Sequence, residues 1–307
     1  MYSKQRQTKK NRPIRISKSD VFFYIINYIF LGVCFLIVFF PVWNVVMCSL
    51  SSPQAVIAGR VTFLPVGLNF NAYRQVFSNS MLMSGYRNSI AYAVVGTCIN
   101  IVMTIMIAWP LSRKDFLGRK FLTAMFFFTM IFAAPLIPTY LNIRRLGLID
   151  TFAVMVIPGA ISVYNMIIAR TFFQSSIPEE MLEAAELDGA SDMQALFLLV
   201  LPLSKAIIAV LVLYYAVSHW NTYFNALIYL NTESKFPLQL VLRTILSNAA
   251  QLQEMASSIS DAESAKLALV EVMKYAIIVF GSLPVLLLYP FVQKYFVKGV
   301  MIGSLKG

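Results

Sequence analysis

Six stretches of this chain carry no Asp, Glu, Lys or Arg: residues 21–48, 88–112, 121–143, 151–169, 206–232 and 275–293. An α-helix needs roughly 17 to 25 apolar residues to cross about 30 Å of hydrocarbon, and every stretch reaches that length. The expected fold is therefore an all-α membrane protein with six transmembrane helices. The 307 residues would suffice for two soluble domains, but 59% are apolar and only 13% charged, which places the chain in a membrane. The first stretch follows a basic start. Its apolar run is about twice the 7 to 15 residues of a secretory signal core, so it is expected to remain as an anchor. Cys34, Cys48 and Cys98 have no paired spacing and read as small apolar side chains, so no redox compartment follows.

Positive loops tend to stay in the cytoplasm. Lys4, Arg6, Lys9, Lys10, Arg12, Arg15 and Lys18 precede the first stretch, and Arg113, Lys114, Arg119 and Lys120 follow the second. Both groups are expected inside, as is a tail with Lys294, Lys298 and Lys306. The organisation that follows is a basic cytoplasmic arm (1–20), a membrane domain (21–293) and a cytoplasmic tail (294–307). Segments 49–87, 144–150 and 233–270 then lie outside, and loop 171–204 lies inside. The basic arm suits anionic membrane lipid as well as topology, so no nucleic acid is implied.

From Thr171 to Ser204 there is no Lys or Arg, and Glu179, Glu180, Glu183, Glu186, Asp188 and Asp192 crowd into this loop. Acidic residues barely affect topology, so the cluster needs another reason. Pro178 suits the first turn of a helix, with Glu179 and Glu180 near its positive end. Gly189 supplies a positive φ that ends the helix, and Ser191 with Gln194 forms a capping box for the next. The loop thus reads as helix, glycine turn, helix. Ala184 and Ala185 leave one face thin enough for close approach, beside Glu183. A solvated hairpin that only joins two spans fits the same composition.

The spacing of Glu183-Ala184-Ala185, Gly189 and Leu201-Pro202 resembles the signature of the membrane subunits of ATP-binding-cassette importers. The likeness extends from about Val21 to the end, through GLNFNAYRQVF (67–77), YRNSI (86–90), IPTYLNIRRLGLIDT (137–151) and HWNTYFNALIYL (219–230). The tail KYFVKGVMIGSLKG (294–307) resembles carbohydrate permeases related to the smaller maltose permease subunit and to the lipoprotein-associated oligosaccharide permeases of Gram-positive bacteria. The resemblance implies a type I importer permease fold in a bacterial plasma membrane, with both termini cytoplasmic. It implies a coupling helix that docks on a separate ATPase, with Glu183 as charged contact, Ala184, Ala185 and Asp188 beside it, and Gly189 as the turn. The implied partners are a second permease subunit, two ATPase subunits that bind ATP and Mg, and an extracytoplasmic sugar-binding lipoprotein.

The spans themselves carry no carboxylate of the kind ion-coupled carriers keep at mid-membrane, which points to an external energy source. The chain also lacks a phosphate-binding G-x-x-x-x-G-K-[ST] loop, so ATP is expected on a partner. Its single His219 has no carboxylate in its span and no arranged nucleophile. Neither catalysis nor a metal or cofactor in this chain is expected. An ATP-independent carrier, or an importer permease for a different solute, remains the alternative. A sugar path needs amides, hydroxyls and aromatic rings. Helical spacing sets Tyr214, Ser218, Asn221 and Asn225 on one side of the fifth stretch. Asn100, with Thr104 one turn on, and Asn165 are further candidates. Interhelical bonding would account for the same amides.

Overall fold

A computed structural model of the chain describes residues 17–255 and 261–304. Most of the basic arm and Lys306 lie outside these. The described residues are helical throughout, without strand. Helix α1 (Lys18–Ser49) leads through α2 (Pro53–Ile57) and α3 (Asn71–Ser78) to α4 (Ser80–Ser112), α5 (Arg119–Ile131) and α6 (Leu136–Arg145). Helices α7 (Ala153–Val156), α8 (Val163–Ser176) and α9 (Glu179–Leu187) follow. Helix α10 (Asp192–Gln194) continues through a π-helical stretch (Ala195–Val200) into α11 (Leu201–Leu203). The chain ends with α12 (Lys205–Trp220), α13 (Phe224–Tyr229), α14 (Leu238–Met255) and α15 (Asp261–Ser304).

Among the described residues three helices are long and apolar enough to cross a membrane alone: α1, α4 and the 270–290 part of α15. Two bent pairs meet the same test together, α5 with α6 at 113° and the run Asp192–Leu203 with α12 at 82°. The third and fourth stretches are therefore not single helices. Pro135 bars its predecessor from helical geometry and opens α6 instead. The fourth stretch breaks around Pro158 and Gly159, leaving α8 with 14 residues. The fifth ends at Trp220, where Asn221 caps α12, so Asn225 sits on α13 rather than on one side with Tyr214, Ser218 and Asn221. Segments 49–87 and 233–270, expected as loops, also hold packed helices. Ala72, Val76, Leu238 and Val241 are buried in them.

Helix α4 is the spine. Its first half packs Leu82 with α3, α14 and α15, and its last turns pack Ala108, Trp109 and Leu111 with α8 and α12. Between these clusters Tyr92 joins a third one with α7 and α13. By contrast, α1 stays exposed from residue 20 to 42 and packs only through its last turns, around Met47 and Cys48. An apolar helix open on all sides suits lipid.

Polar side chains of α4 meet the breaks in other helices. Asn100 Nδ2 donates to the Gly159 carbonyl at 2.6 Å, inside the break before α8. Its Oδ1 lies 2.7 Å from His219 Nε2, which must donate because an amide oxygen only accepts. Thr104 and Tyr215 share a buried hydroxyl pair at 2.6 Å. Trp220 Nε1 donates to the Gly281 carbonyl at 3.0 Å, tying the end of α12 to α15. The His219 ring fits because Gly96 has no side chain: a Cβ there would stand 2.4 Å from the imidazole.

Gly96→Ala is thus expected to lower stability by about 1–3 kcal/mol through overpacking against a ring held by Asn100. Thermal melting in detergent measures this, and Gly96→Ala with His219→Ala is expected to melt above Gly96→Ala alone.

Candidate functional site

Helix α9 forms as the local chemistry dictates. Pro178 is its N-cap with extended backbone, Glu179 and Glu180 occupy the first turn, and Asp188 caps the end. Gly189 takes φ +84°, a left-handed geometry that side chains disfavour. Ser191 Oγ accepts from Gln194 N, while Gln194 Oε1 accepts from Ser191 N at 2.8 Å. The next helix widens into its π turn just before Pro202, which cannot supply the N–H of a regular ladder.

One face of α9 packs inward. Met181 and Leu182 lie against the cluster of Trp109, Phe173 and Leu196. Lys114, in the turn after α4, ion-pairs with Glu179 at the start of α9. That hydrogen bond, and then the Glu179 charge, raises the Lys114 pKa. Arg113 stacks over Trp109 with its Cζ 5.8 Å from the ring centroid. The other face is open: Glu183, Ala184, Leu187, Asp188 and Gly189 are exposed and Ala185 is half-buried. Leu187 is 89% exposed, an apolar tip among acids. Glu183 forms no ion pair among the described residues.

A second feature is a cavity of about 750 Å³ between the end of α12, α14 and α15, lined by Trp220, Asn221, Tyr223, Gln239, Arg243 and Ser282 among others. Of the span candidates, Asn221 alone reaches it. Tyr214, Ser218 and Asn225 are exposed elsewhere, Asn165 is buried in α8, and Asn100 directs its amide into the protein.

Residues 80–302 match the family described as the binding-protein-dependent transport system inner membrane component. The chain belongs to this family. Among its relatives, the polygalacturonan/rhamnogalacturonan transport system permease protein YtcP of Bacillus subtilis (strain 168) is 37% identical over 91% of this chain and 96% of its own. Protein LplC of the same organism is 38% identical over 95% and 97%. A solved bacterial ABC transporter involved in the import of the acidic polysaccharide alginate contains a chain that superposes with a TM-score of 0.82. It has 35% identity over 93% of this chain and 100% of its own. The type I permease fold and the role of membrane subunit in an ABC importer follow.

In this permease subunit the sequence does not point to Gln239 and Arg243, because 233–270 reads there as an external loop. The signal was present: Leu238, Val241, Leu242 and Ile245 have helical spacing and pack inward. The same α14 turns Gln239, Arg243, Leu246 and Ser247 to the cavity. Its start is held from α4, where Ser89 Oγ accepts from Leu238 N at 2.8 Å. Asn88 Nδ2 donates to the carbonyls of Ser234 (2.7 Å) and Phe236 (3.1 Å). Tyr92 Oη donates to that of Lys235 at 2.8 Å.

Asp150 closes the arrangement from the turn after α6. At φ 57° its Oδ1 accepts from the Asn231 and Thr232 amides, both at 3.0 Å. Its Oδ2 accepts from Thr232 Oγ1 at 2.6 Å and pairs with Lys235 Nζ at 2.9 Å. The Thr232 hydroxyl and amide, then Lys235, hold the Asp150 carboxyl far below the usual carboxylate range. A depressed folded pKa means the clasp contributes fully above the unfolded value of about 3.9 and is lost as pH falls through the folded one. Hydrogen-exchange protection of the Asn231 and Thr232 amides is therefore expected to stay level from neutral pH to about pH 4 and to fall only in stronger acid. Asp150→Ala is expected to remove that protection at neutral pH.

Proposed function

We propose that this chain forms half of the translocation path of an ATP-driven importer for a sugar or oligosaccharide delivered by an extracytoplasmic binding protein. A second permease subunit supplies the other half. Two ATPase subunits carry ATP and Mg, and this chain performs no catalysis. The relatives' transport of polygalacturonan and rhamnogalacturonan, and of alginate, supports a saccharide cargo. The chain crosses the membrane six times, the bent and broken helices included, with both termini, the turn holding Arg113 to Lys120 and α9 in the cytoplasm. The distribution of Lys and Arg supports this orientation.

The observation that carries the coupling role is the outer face of α9. Its exposed Glu183, Ala184, Leu187 and Asp188 lie free beside the Gly189 turn, while its inner face is fixed to α4 and α8. An anionic, apolar-tipped helix on a rigid base fits a basic groove on an ATPase. Closure of the ATPase pair pushes both coupling helices together. Differential contact at this helix then shifts the permease between inward- and outward-open states.

Glu183→Lys is expected to cut co-purification of the ATPase with the tagged permease by about tenfold or more, since a contact to a charged group contributes about 1.5–3 kcal/mol. Melting of the permease itself is expected to be unchanged, because Glu183 is exposed and unpaired. Undiminished ATPase recovery and saccharide uptake would remove α9 as the coupling element.

A further inference from the structure

We propose that Arg243 makes the cavity between α12, α14 and α15 a subsite for the carboxylate of a uronic-acid residue, so that the importer's cargo is an acidic oligosaccharide. This rests on the importer reading above and narrows its cargo.

The cavity's volume of about 750 Å³ lies within the roughly 300–1,000 Å³ of small-ligand sites. The Asn221 and Gln239 amides and the Ser247 and Ser282 hydroxyls line it with groups that hydrogen-bond to sugar hydroxyls. Tyr223, 41% exposed, offers a ring face for the apolar side of a pyranose. A neutral sugar needs no more than these. Arg243 adds a permanent positive charge and a planar donor fork that matches a carboxylate with two parallel bonds.

Among the described residues the charge of Arg243 has no acidic partner. It forms no ion pair with any described carboxylate, and its side chain donates no hydrogen bond to a described residue. Its one recorded partner is the Tyr223 ring, whose centroid lies 5.1 Å from Cζ. A ring face stabilises the charge but leaves the donor fork unsatisfied. The helix that carries Arg243 is also held in place from below. Leu238, Val241 and Leu242 anchor α14 in the core, and Ser89 bonds its first amide. Gly85 lets α4 approach within a distance at which a Cβ would stand 3.1 Å from Val241 Cγ2. A cation carried on a clamped helix, next to a ring and several amides, is prepared for an anionic ring substituent. Polygalacturonan, one of the two cargoes in the name of YtcP, and alginate, the cargo of the solved homologue, fit that chemistry, whereas more distant relatives are named for neutral sugars such as arabinooligosaccharides and trehalose.

The test uses the purified complex of both permease subunits with the ATPase, titrated calorimetrically with trigalacturonate and with its fully methyl-esterified form. Proteoliposomes with the binding protein are assayed in parallel for uptake of neutral and acidic trisaccharides. The expected result is a preference for acid over ester of about tenfold or more, set by one charge-assisted bidentate contact. Arg243→Gln is expected to bring that ratio to about one and Arg243→Lys to keep part of it. Equal affinity for acid and ester in the unaltered complex, or a preference that survives Arg243→Gln, would overturn the subsite. Equal loss of both ligands in Arg243→Gln would assign the residue to an interface with the second permease instead. If neutral trisaccharide enters the vesicles and the acid does not, the importer reading stands and the uronate assignment falls. Uptake of no saccharide would end both.

Discussion

A helix that breaks within an apolar layer leaves backbone groups with no water to bond, and the protein must supply their partners. In this chain that duty falls on α4. Its Asn100 reaches the carbonyl of Gly159 in the break before α8, and Asn88, Ser89 and Tyr92 satisfy the backbone between Ser234 and Leu238. Removing the buried Ser89 hydroxyl, or the Asn100 amide, would strand a polar group, which costs more than the bond's modest net value. The polar residues of α4 are thus what permits the irregular segments around it.

The same arrangement explains why glycine appears where helices touch. Gly85 and Gly96 let α14 and the His219 ring come close enough for short bonds, and at Gly281 the bare backbone presents its carbonyl to Trp220. Association of helices in lipid gains little from hydrophobicity, since the tails are as apolar as leucine. Close approach and interhelical bonds take its place. The Thr104–Tyr215 pair and the Asn100–His219 pair both join α4 to α12, the two helices that share the core around Leu211.

What was legible in the sequence is what local chemistry decides. Pro178, Gly189 and the Ser191–Gln194 box fix α9 and the turn after it within a few residues, and the structure has them where the spacing put them. Charge-free stretches found the long helices α1, α4 and α15, but counting charges cannot see a bend. Pro135 and the Pro158-Gly159 pair divided stretches that composition left whole, and nothing local marks the end of α12 at Trp220, which a bond to Gly281 secures from another helix. The cavity was hidden for the opposite reason. The span count and the Lys/Arg distribution make 233–270 read as an external loop, although its apolar residues recur at helical spacing. In sequence the amides of Asn221 and, more weakly, Asn100 are both candidates for the path. Only the fold shows that one turns inward to backbone and imidazole while the other borders the cavity.

The two features that the fold separates are joined by rigid elements rather than by a chain of side chains. The last turn of α4 sets Trp109 against α9, and its other half clamps α14, which carries Arg243. Helix α12 begins just beyond the π turn that follows α9 and ends at the cavity with Trp220 and Asn221. Packed cores resist gradual deformation, so a push on α9 of the kind proposed would move these helices as bodies. The regular ladder already fails at the π turn before Pro202, the 82° bend into α12 and the break after Trp220, and these are the points at which a rotation would be absorbed at least cost. A rotation absorbed at the first two would change how Trp220, Asn221 and Tyr223 face Arg243 across the cavity. With the proposed subsite in place, the same residues would hold a bound carboxylate in one state and release it in the other, which is the differential contact that alternating access requires.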